Sequence, residues 1–417
     1  MATWVVVANM IGTGIFSSLG FQLIGISDYF SIVMLWLAGG VISLCGAYVY
    51  SRLAVNMPDA VGEYHYLSRL VHPSVGFVSS WISITLGFAA PIALVMKAIC
   101  AYLPQQLFGM STEVWALLLL FGVTTVHATS YRASGRFHSV ITIFKIGFLA
   151  LFALLGFVLG GAHSTTFLPT STSLSTMSST AFAISLVYVL YTYSGWNAST
   201  YLARELPKPE YTLPRSMIIG TLLVASLYIA LNIMFLYAAP ASELRVADMS
   251  QPRDLAVVVA RSILPGSFQG VIAGVVCLLF VSSMSSLILA GPRVTLAIAE
   301  QYQQLRILAR RNASGIPVFA IVLQTLIAAI LFVTNTFDAT IKNTTMMLTL
   351  SSIITVASIL KIEKRGRVLI AAGIFILANV WVLIHVALDY PPSLIWTALI
   401  MGIGMLVYRS LRTQQAI

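Results

Sequence analysis

The stretch Ala8-Asn9-Met10-Ile11-Gly12-Thr13-Gly14-Ile15-Phe16 lies inside an apolar run from Trp4 to Ile24 and sets two glycines one residue apart at its centre. A run of this length matches the roughly 20 residues a helix needs to cross a bilayer core. Each glycine weakens that helix by roughly 1 kcal/mol relative to alanine. The pattern reads as a membrane helix that loses its regular hydrogen bonds halfway through. Close packing on a neighbouring helix is the competing explanation, because small residues are common where helices meet in lipid.

The rest of the chain supports the membrane reading. Of 417 residues, 59% are hydrophobic and only 9% charged, too few charges to cover a soluble domain, which needs about 25%. The first run has no basic segment before it and no small-residue cleavage site after it, so it reads as a retained helix and not a signal peptide. The N-terminal tail is expected to be very short. Cys45, Cys100 and Cys277 fall in apolar segments without ligand-spaced histidines, which makes them packing residues. No cofactor and no metal are expected.

Apolar runs and their Gly, Pro and charged breaks predict an all-α polytopic membrane protein of about twelve transmembrane helices. The spans are 2–24, 30–55, 74–103, 113–130, 138–160 and 177–203, then 213–240, 267–300, 316–335, 341–361, 368–388 and 392–409. Seventeen of the 23 basic residues, among them Arg52, Arg69, Arg215, Lys361 and Arg365, fall on the side of the termini. Only Arg245, Arg253, Arg261 and Lys342 fall opposite. The positive-inside rule then puts both termini in the cytoplasm. The net charge of +10 reports topology, and no nucleic-acid partner is implied. On the outer side, 163–179 reads as a polar loop, and Asp254 to Leu264 as a short amphipathic helix along the surface.

A second interruption appears in the sixth span, at Tyr191-Thr192-Tyr193-Ser194-Gly195-Trp196-Asn197-Ala198-Ser199. Unwound backbone persists in a membrane only where it lines a cavity or holds a ligand. Two interruptions five helices apart fit an inverted-repeat transporter. N–H groups near Thr13, Gly14 and Ile15 would open a second half-helix whose positive end suits a carboxylate. Carbonyls ending the first half-helix, and others near Tyr193, would accept from an ammonium. Together these groups suit a zwitterionic amino acid.

Several motifs, in order along nearly the whole chain, resemble the amino acid–polyamine–organocation (APC) superfamily of amino acid permeases. Asn9 to Phe16 resembles its first-helix motif, and Pro58 to Leu67 the loop after helix two. Tyr193-Ser194-Gly195-Trp196-Asn197, with Glu205 and Pro214-Arg215, resembles the sixth helix and its following loop. Gly291-Pro292-Arg293-Val294 and Ala297 resemble the end of helix eight. The resemblance implies a five-plus-five inverted-repeat (LeuT-like) core over 1–361, two additional helices over 362–417, and amino-acid transport by alternating access across the cell membrane. It implies that Ile11, Gly12, Thr13, Gly14 and Ile15 bind the carboxylate side. Tyr191, Tyr193, Ser194, Gly195 and Trp196 would line the other side, with Tyr191 where the family often has an aromatic gate. Ala8, Val61 and Ser194 depart from commoner glycines, which leaves the side-chain pocket open.

Lys145 lies about seven residues from a helix end, so it either snorkels to the interface or serves function. Some proton-coupled relatives carry a lysine there, which implies a role in coupling transport to protons. Lys97 reads as a snorkelling residue near the outer end of its helix. Ser282, Ser283, Ser285 and Ser286 offer oxygens to sodium or simply pack, and Lys145 argues against a further cation. Asp28, Glu205, Glu300 and Asp389 all fall at helix ends, so no acid is expected in mid-membrane. A neutral amino acid is the favoured substrate, with Trp196 and Tyr193 leaving a cation–π alternative. An enzyme is not expected: His127, His138 and His385 are isolated, and no nucleophile or metal constellation appears. An exchanger of amino acids or polyamines, a sodium symporter, a channel and a substrate-sensing receptor remain the other readings.

Overall fold

A computed structural model describes residues 2–413 except Val61, Gln105, Ser130 and 162–165. Val61, with its glycine departure, and the start of the 163–179 loop lie outside the described residues, as do the side chains of His138, Arg204 and Glu205. Among the described residues, nine helices are long and apolar enough to cross a membrane, and a bent pair from Ala2 to Gly25 forms one further span. The helices Tyr29–Asn56, Thr112–Thr129, Pro209–Ala238 and Gly366–Asp389 lie within a few residues of the expected spans. Their ends follow local chemistry. Asp28 and Ser179 each accept a backbone N–H as N-caps, and Pro73 and Pro209 occupy first-turn positions that need no donor.

The helix Tyr29–Asn56 packs against Pro209–Ala238, Gly366–Asp389 and Thr180–Tyr193. This group, the first span and Gln269–Ala299 bury one continuous apolar core. Outward-facing side chains such as Leu222, Ile330 and Leu377 are more than half exposed, as a lipid-facing surface requires. The helix Leu255–Ile263 departs from its expected surface position. Residues 255–260 are all buried, and the Ala256 N–H donates to the Tyr102 hydroxyl at 3.2 Å. Its apolar side therefore finds protein, not lipid headgroups.

Two features were not expected. The segment after the second span, assigned as loop, folds into a short helix, Gly62–Leu70, whose first six residues are buried. The helix Pro73–Tyr102 contains a π-helical turn at Ser83–Gly87, where an extra residue re-aims the side chains that follow.

Candidate functional site

The first span is helical to Met10, and Ile11 N–H still donates to the Val7 carbonyl at 2.9 Å. Beyond it the ladder stops. Among the described residues, no backbone carbonyl accepts from Gly12, Thr13, Gly14 or Ile15. A 3₁₀ turn over Gly14–Phe16 leads into the helix Ser18–Gly25, and the two halves meet at 49°. The sixth span breaks in the same manner. Its helix ends at Tyr193, Gly195 takes a left-handed φ of +99°, and a 3₁₀ segment resumes at Ala198.

The breaks touch each other, and glycine is what lets them. A Cβ on Gly195 would lie 3.0 Å from the backbone carbon and oxygen of Asn9. One on Gly14 would lie 2.2 Å from Thr192 Oγ1. A Cβ on Gly12 would meet nothing within 4 Å, because that glycine faces open space. The space is an interior cavity of about 140 Å³ bordered by Gly12, Thr13, Gly14, Tyr191, Ser194, Gly195 and Trp196. Ile11, Ile15 and Tyr193 do not border it. Ile15 and Tyr193 are fully buried in the core, and the Tyr193 hydroxyl donates to the Trp36 carbonyl at 3.1 Å. Ser83 and Phe88, at the two ends of the π-helical turn, and Tyr201 and Ser283 complete much of the wall.

Lys145 does not snorkel. It is fully buried, and its ammonium donates to the Ile11 carbonyl at 2.8 Å and to Ser283 Oγ at 2.9 Å. Ser283 in turn bonds the same carbonyl at 3.0 Å, and the Tyr228 hydroxyl takes the Met10 carbonyl at 2.6 Å. The two carbonyls that end the first half-helix are thus already occupied. Among the described residues, the carbonyls of Ala8, Asn9, Thr192 and Tyr193 receive no backbone donor. Two further serines of this group are engaged within the protein: Ser285 meets His127 Nε2 on the helix Thr112–Thr129 at 2.8 Å, and Ser286 donates to the Ser282 carbonyl. Lys97 lies over the Phe332 ring, 5.2 Å from its centroid.

An acid does reach the interior, contrary to expectation. Glu63 borders the cavity and is 5% exposed. Its carboxylate accepts from Tyr50 at 2.6 Å, Ser351 at 2.8 Å and Ser79 at 3.2 Å. Asn197 and Ser352 approach at 3.4 Å. Charged acceptors make the stronger hydrogen bonds, and here they join five segments around one group. Sequence placed Glu63 in a loop, because nothing in a polar stretch announces that it folds inward. On the opposite side of the breaks, Phe21 stacks between Tyr188 and Phe337, with centroids 5.0 and 5.6 Å away. The Tyr188 hydroxyl also donates to Asp338.

An all-α membrane protein whose two discontinuous helices meet on an interior cavity is built as a carrier of small polar solutes, since such backbone is stable at that depth only around a cavity or ligand. Comparison with known proteins agrees. The chain belongs to the Amino acid permease family, whose model matches residues 1–415. It is 26% identical over 307 residues to the serine/threonine exchanger SteT of Bacillus subtilis (strain 168), covering 72% of this chain and 67% of that protein. It is 26% identical over 249 residues to the b(0,+)-type amino acid transporter 1 of Homo sapiens, covering 58% of this chain and 50% of the other. The large neutral amino acids transporter small subunit 2 of Rattus norvegicus is 27% identical over 256 residues, 59% of this chain and 48% of that one. The matches thus span about half the length of these last two relatives.

Proposed function

We propose that this chain is a secondary amino-acid transporter that carries a neutral amino acid by alternating access. The observation that carries the reading is the meeting of two broken helices on one cavity, with backbone donors and acceptors left over at both. The N–H groups of Thr13 and Gly14 hold the substrate carboxylate at the positive start of a half-helix. The ammonium is received by the carbonyl of Asn9 on one break and of Thr192 on the other. Glu63 is engaged by five donors of its own, so it offers substrate no free carboxylate, and this supports a neutral side chain. The names of the relatives, an exchanger of serine and threonine and a transporter of large neutral amino acids, support the same class.

Lys145 supplies a fixed cation at the break and couples its opening to protonation, in place of a bound sodium ion. Residues 1–361 form the inverted-repeat core and 362–417 two accessory helices, with both termini cytoplasmic in the cell membrane. The aromatic stack at Phe21 seals the outer side, and the Glu63 group the inner side. Labelled amino-acid uptake into proteoliposomes, with imposed pH or sodium gradients and with preloaded substrate, tests this. Saturable, gradient- or exchange-driven uptake is expected. Saturable binding without movement would make the chain a receptor instead, and unsaturable downhill flux a channel.

A further inference from the structure

A second cavity of about 80 Å³ opens beside the first and shares Pro91, Tyr191, Ser194, Trp196, Leu348 and Ser352 with it. Its far wall is polar but carries no charged residue. Two of its groups are unusual. Several buried threonines elsewhere in the spans return their hydroxyls to the carbonyl four residues back, as Thr124, Thr221, Thr325 and Thr355 do at 2.7–2.9 Å. Thr344 and Thr345 do not. They are 0% and 5% exposed, and neither hydroxyl has a hydrogen-bond partner among the described residues. A buried hydroxyl without a partner is costly, so two side by side on one cavity wall point to an occupant that bonds to them.

Resting on the transport reading above, we propose that this second cavity is the side-chain subsite, and that it takes short, uncharged side chains bearing a hydroxyl or carboxamide. Its size, about 80 Å³, restricts the occupant to a short side chain of a few non-hydrogen atoms. Its lining sets the charge, since an ionised side chain would be buried there without a counter-ion. The shared wall sets the route. A substrate gripped by its carboxylate and ammonium at the breaks extends past Tyr191 and Trp196 and meets Thr344 and Thr345 on the helix Phe337–Ser358.

The test is uptake kinetics of the full chain in proteoliposomes, comparing serine with alanine and threonine with valine, pairs that differ by a hydroxyl. The wild type is expected to favour the hydroxyl member of each pair. Thr344→Val and Thr345→Val keep the shape and remove the hydroxyl. Each should raise KM for serine, threonine and asparagine roughly three- to tenfold, with alanine shifted less than twofold, and Thr→Ser at either position should restore the preference. Ser43→Leu, which fills the cavity, should abolish asparagine uptake and spare glycine. Saturable alanine uptake without a hydroxyl preference, or equal KM shifts for serine and alanine, overturns the subsite alone. In that case the two hydroxyls serve only bound water. Absence of saturable uptake for alanine and serine alike overturns the transport reading and the subsite with it.

Discussion

The two glycines of the first break do different work, and alanine substitutions should separate them. A methyl at Gly14 would press on Thr192 Oγ1 at 2.2 Å and on Thr192 Cβ at 2.7 Å. That hydroxyl donates to the Tyr188 carbonyl at 2.7 Å and meets Ser18 Oγ at 2.7 Å, so Thr192 cannot turn aside without losing both bonds. Overpacking costs about 1–3 kcal/mol and each of the two bonds about 0.5–1.5 kcal/mol, giving roughly 2–6 kcal/mol for Gly14→Ala. At Gly12 the same methyl meets nothing within 4 Å, and its stability cost should stay within about 0.5 kcal/mol. It does, however, occupy the cavity. Thermal unfolding of purified protein in detergent and labelled uptake in proteoliposomes read the two effects separately. Gly14→Ala should lower the unfolding temperature and abolish uptake. Gly12→Ala should unfold like wild type and yet show a KM raised severalfold. A Gly12→Ala variant with wild-type stability and wild-type KM would refute the placement of substrate at this break. One that unfolds early would refute the geometry itself.

Lys145→Ala should leave saturable binding but remove the acceleration of uptake by an inward proton gradient; uptake that still follows the gradient would end the coupling role. Glu63→Gln replaces one acceptor oxygen by a donor facing Tyr50, Ser79 and Ser351, and should destabilise by about 1–3 kcal/mol, read as a lowered unfolding temperature. Outside the membrane, the Arg69 hydrogen bond holds the Asp59 carboxyl at about 2. A depressed carboxylate contributes stability that is present above its unfolded value and is lost as pH falls through the folded one. The contribution should therefore hold near neutrality, disappear between about pH 4 and pH 2, and be absent in Asp59→Asn, as titration of unfolding midpoints would show. As an exposed pair it is worth no more than about 1 kcal/mol.

Much of the fold was legible because lipid imposes one rule, apolar runs of fixed length, and long helices such as Tyr29–Asn56 obey it without competition. The breaks were legible for the opposite reason: Gly12, Gly14 and Gly195 violate the rule where no loop is possible. What escaped was placed by tertiary contact. Glu63 lies in a polar stretch that any sequence reading assigns to solvent, and only the donors of Tyr50, Ser79 and Ser351 make its burial affordable. The π-helical turn at Ser83–Gly87 has no composition of its own. Thr344 and Thr345 look like any threonine in a span until their hydroxyls are seen to have no partner. Tyr193 and Ile15 were grouped with the cavity by their neighbours in sequence, whereas helical geometry turns them into the core. The neutral-substrate expectation drew on an absence of interior acids. It now rests on how thoroughly the one acid beside the cavity is satisfied.

The Ile11 carbonyl is gripped from two directions, by Lys145 on the helix Tyr131–Leu159 and by Ser283 on Gln269–Ala299. One oxygen atom is therefore the common knot of three helices that are far apart in sequence. No one of them slides past the others while that knot is tied. Any relative movement among the three has to release that one backbone oxygen.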